Sequence, residues 1–70
     1  MKMSDAEIAR VLRLRAERVR DAADALAGRA EELRGSTMQR LLTLQAAMLK
    51  EGAENLESRA LEVDPVQGRA

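Results

Sequence analysis

From residue 9 to residue 33, apolar side chains recur at alternating spacings of three and four: Ala9, Leu12, Ala16, Val19, Ala23, Leu26, Ala30, Leu33. The same spacing returns further on as Leu42, Ala46, Leu49, Ala53, Leu56, Ala60, Val63. Lettered as a heptad from a to g, every a in these two runs is Ala and every d is Leu or Val. A sustained period of 3.5 selects α-helices that wind around each other with a left-handed supercoil. Alanine at a adds a tighter constraint. So small a side chain leaves little to separate two helix axes, so the helices must approach closely.

The ends of the helices are legible. Ser4-Asp5-Ala6-Glu7 has the form of a capping box, in which the Ser hydroxyl accepts from the N–H three residues on and Glu reaches back. A run rich in Ala, Leu, Arg and Glu follows without Pro, all strong helix formers. Gly35 is suited to the left-handed conformation that ends a helix. Ser36-Thr37-Met38-Gln39 repeats the capping form, and Asp64-Pro65 ends the second run, because the residue before Pro is pushed out of the helical region. The expected elements are an N-terminal cap over 1–4, helices over about 5–34 and 37–63 with a turn at 35–36, and a flexible tail over 64–70. Strands are not expected, since no segment alternates with period two.

A turn centred on Ser36 pairs residues whose numbers sum to 72: Ala30 with Leu42, Leu26 with Ala46, Ala23 with Leu49, Val19 with Ala53 and Ala9 with Val63. Each layer sets a small residue against a larger one, as interdigitated packing requires. The fold class is therefore all-α, an antiparallel two-helix hairpin with an Ala-rich coiled-coil seam. One long helix in a parallel coiled coil is the alternative, and Gly35 with the second capping box speaks against it.

A hairpin leaves one side of each helix open. Positions c and g share one flank, which carries Ile8, Val11, Ala22 and Ala25 from the first helix and Met38, Leu41, Met48 and Gly52 from the second. The other flank, b and e, is mostly charged, with Arg10, Arg13, Glu17, Arg20, Asp24, Lys50, Glu54 and Glu57 among its residues. A free hairpin has no need of this asymmetry, whereas a four-helix bundle does. The expected partner interface is Ile8, Val11, Ala22, Met38, Leu41, Met48 and Gly52. The expected first partner is a second copy in an antiparallel two-fold dimer, the commonest kind of oligomer. A second protein is the other expected partner. In this register Arg13 is expected near Glu57, and Arg20 opposite Lys50.

Composition then excludes whole classes of chemistry. The chain has 70 residues with no Cys, no His and no aromatic residue. Zinc sites of the usual kind, disulfides, and thiol or imidazole catalysis are absent from its repertoire, as is a base-stacking platform. Neither a cofactor nor a metal is expected, and neither is an enzyme. The acidic residues lie at outer helix positions, and Ser4, Ser36 and Thr37 have caps to form and no His to activate them. Twelve Lys+Arg balance twelve Asp+Glu, which argues against a general polyanion binder. No apolar run approaches the roughly 18 residues of a membrane span, and Met1-Lys2-Met3-Ser4-Asp5 leads into no apolar core of the kind a signal peptide needs. A cytoplasmic location is expected.

The sharpest charge feature is Arg10, Arg13, Arg15, Arg18 and Arg20, offset only by Glu17, for a local net charge of +4 over residues 8–20. Arg forks bind phosphates and acidic proteins alike. The layout of two helices, a tight turn, a short tail and small-against-large layers resembles that of the Rop family, whose dimeric four-helix bundles bind paired RNA loops. That resemblance implies a nucleic-acid-binding regulator using the Arg10–Arg20 cluster. The residues themselves point first to a non-enzymatic interaction module (adaptor, regulator or co-chaperone) working through its apolar flank.

Overall fold

The computed structural model describes residues 2–65. Two helices, α1 over Asp5–Glu32 and α2 over Thr37–Val63, lie against each other as a hairpin. Among the described residues there is no strand. Of the expected tail, Asp64 and Pro65 are described and residues 66–70 lie outside the described region.

Both N-termini are capped by the serines that the sequence offers. The Ser4 hydroxyl oxygen accepts from the Glu7 N–H at 3.2 Å and its proton is directed to the Glu7 carboxylate at 3.2 Å. At the second cap, Ser36 Oγ accepts from the Gln39 N–H at 3.1 Å while donating to the Leu33 carbonyl at 2.6 Å. The Gln39 side chain reaches past the cap residue and accepts from the Gly35 N–H at 2.8 Å. The Ser36 N–H goes instead to the Leu33 carbonyl at 3.1 Å. These bonds give partners to the Gln39 N–H of α2 and to the Leu33 carbonyl at the end of α1 within one four-residue turn. Gly35, at φ +86°, takes the conformation that a side chain would resist.

Helix α1 stops at Glu32, with Leu33 as its C-cap, two residues before the end expected from periodicity. The turn needs the Leu33 carbonyl for Ser36, and so takes Leu33 out of the helix. Leu33 is 39% exposed as a result. Opposite it the a position of α2 is Gln39, half-buried and engaged in the turn. The apolar seam thus closes at Ala30.

Every buried residue among those described is an alanine at a: Ala9, Ala16, Ala23, Ala30, Ala46, Ala53 and Ala60. The d residues Leu12, Val19, Leu26, Leu42, Leu49, Leu56 and Val63 are half-buried. The heptad explains this division. Close axes seal the small a side chains completely, and the larger d side chains extend past the contact toward the open flanks. The core is correspondingly thin. A buried methyl contributes about 0.8 kcal/mol, against roughly 1.5–3 kcal/mol for a fully buried Leu.

Replacing Ala23 with Leu should push the axes apart and destabilise the hairpin by roughly 1–3 kcal/mol through overpacking. Ala47 is exposed at a b position and should accept Leu with little effect. Thermal unfolding followed by circular dichroism compares the two, and equal melting would contradict the seam.

Candidate interaction surface

The b/e flank is closed by charge. Arg20 and Glu57, one on each helix, form a hydrogen-bonded ion pair, with Arg20 Nε donating to Glu57 Oε1 at 3.1 Å and Nη2 donating to the same oxygen. The hydrogen bond to Glu57 is the main cause holding the Arg20 guanidinium above its ordinary range, followed by the charges of Glu57, Glu54 and Asp24. This pairing differs from the expected one, in which Arg13 met Glu57 and Arg20 faced Lys50. The reason is the lean of helical side chains toward their own N-terminus. In an antiparallel pair, Arg20 leans toward the open end of the hairpin and Glu57 leans toward the turn, so the two converge although their Cα atoms are at different heights. The same lean would carry a side chain at position 50 away from one at position 20.

The Arg cluster is therefore not one surface. Arg20 is committed to Glu57 and half-buried, and Arg13 is half-buried. Arg10, Arg15 and Arg18 are exposed. Arg15 and Arg18 border a shallow depression of about 180 Å³ with Val11 and Leu14. Arg10 and Val11 border a second one, of about 350 Å³, with Met3 and Glu7.

On the c/g flank, Val11, Ala22, Met38, Leu41 and Met48 are exposed, while Ile8 and Gly52 are half-buried. The large ones stand far out: Val11 is 40% exposed, Leu41 48% and Met48 63%. Near the turn, Leu26, Gln45, Met48 and Leu49 line a shallow depression of about 370 Å³ that spans both helices on this flank. Val11 lies toward the open end and Met38 and Leu41 toward the turn, while Ala22, Ala25, Met48 and Gly52 lie between them and the exposed Arg15 and Arg18 interrupt the apolar surface.

Two further exposed leucines, Leu14 at 50% and Leu44 at 57%, stand at f positions, on the side of each helix away from the seam, and Leu14 shares a depression with Val11. Heptad lettering assigns f to solvent and so passes over them. An internal repeat of thirty residues reveals them. Arg10, Leu12, Leu14 and Ala16 recur as Arg40, Leu42, Leu44 and Ala46, and Ala23, Leu26, Arg29, Ala30 and Glu32 recur as Ala53, Leu56, Arg59, Ala60 and Glu62. Thirty is not a multiple of seven, so continuation of one heptad does not produce this match. The outer residues Arg10, Leu14, Arg29 and Glu32 repeat along with the seam. Each helix thus carries an outer apolar stripe near its start: Ile8, Val11 and Leu14 on α1, and Met38, Leu41 and Leu44 on α2. Leu61, exposed at a b position, belongs to neither stripe.

No protein-family model, curated protein or solved structure matches this chain. Among the described residues no group of acidic side chains converges in a way that could hold a metal ion, and no helix is long and apolar enough to cross a membrane.

The Arg20 and Glu57 side chains keep 39% and 45% of their surface exposed, so water screens the pair and their coupling should be small. Arg20→Glu should lower stability slightly rather than raise it, and Arg20→Glu combined with Glu57→Arg should recover the loss. A double-mutant cycle by urea unfolding measures this. A stabilising Arg20→Glu would place Lys50, not Glu57, as its neighbour.

Proposed function

We propose that this protein is a small non-enzymatic interaction module. Its c/g flank joins a second copy to build a four-helix bundle, and the bundle serves as an adaptor, regulator or co-chaperone for another protein. A cytoplasmic site of action is part of the same proposal. The observation that carries it is an inversion of the usual distribution of apolar residues. Among the described residues the buried positions hold only alanines, while Val11, Leu14, Met38, Leu41, Leu44 and Met48 remain at least 40% exposed. Covering such side chains contributes up to roughly 1.5–3 kcal/mol each, more than the methyl groups of the seam. A two-helix chain of this size has little other means of gaining stability.

A second reading rests on Arg10, Arg15 and Arg18, exposed beside Val11 and Leu14 on α1. It is the Rop-like one, a regulator that grips nucleic-acid phosphates. The two readings differ in their response to salt. Phosphate contacts weaken steeply as salt rises, and apolar docking does not.

Leu41→Glu and Met48→Glu each place a charge within the proposed contact, where burial without a partner is costly. Light scattering at micromolar concentration should give about twice the 7.7 kDa chain mass for the wild type and the single-chain mass for either variant, with reduced helicity. Glu54→Lys, on the charged flank, is the control and should leave the assembly intact. A well-folded wild-type monomer that Leu41→Glu does not change would reject self-association.

A further inference from the structure

We infer that Val11, Leu14, Arg15 and Arg18 of α1 form a docking stripe for an acidic amphipathic helix of another protein. The partner's apolar side chains lie over Val11 and Leu14, and its carboxylates meet Arg15 and Arg18. This rests on the interaction-module reading and names the chemistry of the partner other than a second copy. The four residues follow the spacing i, i+3, i+4, i+7, which places side chains on one face of a helix. All four are exposed, and together they line the depression of about 180 Å³. Among the described residues neither Arg15 nor Arg18 forms an ion pair, although Asp21 stands three residues beyond Arg18. The hairpin employs Arg20 and leaves these two cations to something else.

The thirty-residue repeat supplies an internal comparison. It matches Val11, Leu14, Arg15 and Arg18 with Leu41, Leu44, Gln45 and Met48 of α2. The two stripes agree in their apolar halves and differ in the rest, since α2 has an amide and a thioether where α1 has two guanidinium groups. An uncharged stripe meets a copy of itself without repulsion, whereas Arg15 and Arg18 call for carboxylates on the facing surface. The chain does not present that surface. Its nearest match at the same spacing, Glu54, Glu57, Ser58 and Leu61, has a single apolar residue, and Glu57 is held by Arg20. The occupant is therefore a different protein. A helix suits the site better than a nucleic acid. Glu7 and Asp21 bracket Leu14 along the f positions, and Glu17 is exposed beside Arg18. These carboxylates oppose a duplex that carries a charge every 1.7 Å or so along its axis, and Val11 and Leu14 give phosphates nothing to bind. A helix with its acids on one stripe fits between them, in the manner of an amphipathic helix laid on a groove.

Two fluorescein-labelled helical peptides serve as probes, one with Leu, Leu, Glu, Glu at i, i+3, i+4, i+7 and one with the order reversed, for the two directions in which a helix can lie. Fluorescence anisotropy at physiological salt should show saturable binding of one of them to the wild-type protein. Arg15→Glu combined with Arg18→Glu should weaken it by roughly tenfold or more, and so should Leu14→Ser. Circular dichroism should show unchanged helicity for both, because the altered residues are exposed. Arg34→Glu combined with Arg40→Glu makes the same change in net charge away from the stripe and should leave the affinity unaltered. A peptide with Ser in place of both Leu should bind roughly tenfold more weakly or worse. The inference is overturned if neither peptide binds, if the two double reversals act alike, if the Ser peptide binds as well as the Leu peptide, or if a duplex RNA displaces the peptide and is itself lost with Arg15 and Arg18. Light scattering on the same samples separates this stripe from self-association. A monomer that binds the peptide upholds the stripe and removes the dimer, and a dimer that ignores the peptide does the reverse.

Discussion

The close approach that alanine permits at the a positions is the constraint on which the rest of this structure depends. Two helices can come near enough to seal a methyl group only if nothing larger stands between their axes, and Ala9, Ala16, Ala23 and Ala30 of α1 meet that condition along the whole contact, as Ala46, Ala53 and Ala60 do on α2. The turn serves the same end. Gly35 reverses the chain, and Ser36 and Gln39 close both helix ends within a few residues. The second helix therefore begins already beside the first, with no long loop to order.

A tight seam of small side chains has a consequence for function. It buries little apolar surface, and it pushes the larger d residues to the margins, half-covered. One margin is bounded by the Arg20–Glu57 pair and its charged neighbours. The other ends in exposed Val, Leu and Met. The hairpin is thus built as one layer with one finished flank and one unfinished flank. The proposed module follows from this shape, since the unfinished flank gains by being covered.

Much of this was legible in the residues. The Ala/Leu seam, both serine caps and the reversal at Gly35 each have a local signature, and the structure bears out the two-helix hairpin. What escaped depended on direction or on lettering. The Arg20–Glu57 pair depends on the opposite lean of side chains in antiparallel helices, which a Cα register does not contain. Leu33 has the right spacing for the seam, yet the turn claims its carbonyl and ends the helix. Leu14 and Leu44 sit at positions that a heptad assigns to water, and the thirty-residue repeat is the signal that marks them as related. Gly52 was visible as an anomaly in the sequence, and the structure shows open space beside it, as beside Gly28 and Gly35.

The central claim is that the stability of this fold resides partly in contact between copies. Anything that binds only the folded chain raises the apparent stability with its concentration, and on this proposal the ligand is the protein itself. Thermal unfolding measured by circular dichroism over a hundredfold range of protein concentration tests this most directly. The account predicts a midpoint that climbs steadily as concentration rises. A midpoint that stays constant across that range, with full helicity at the dilute end, would contradict it.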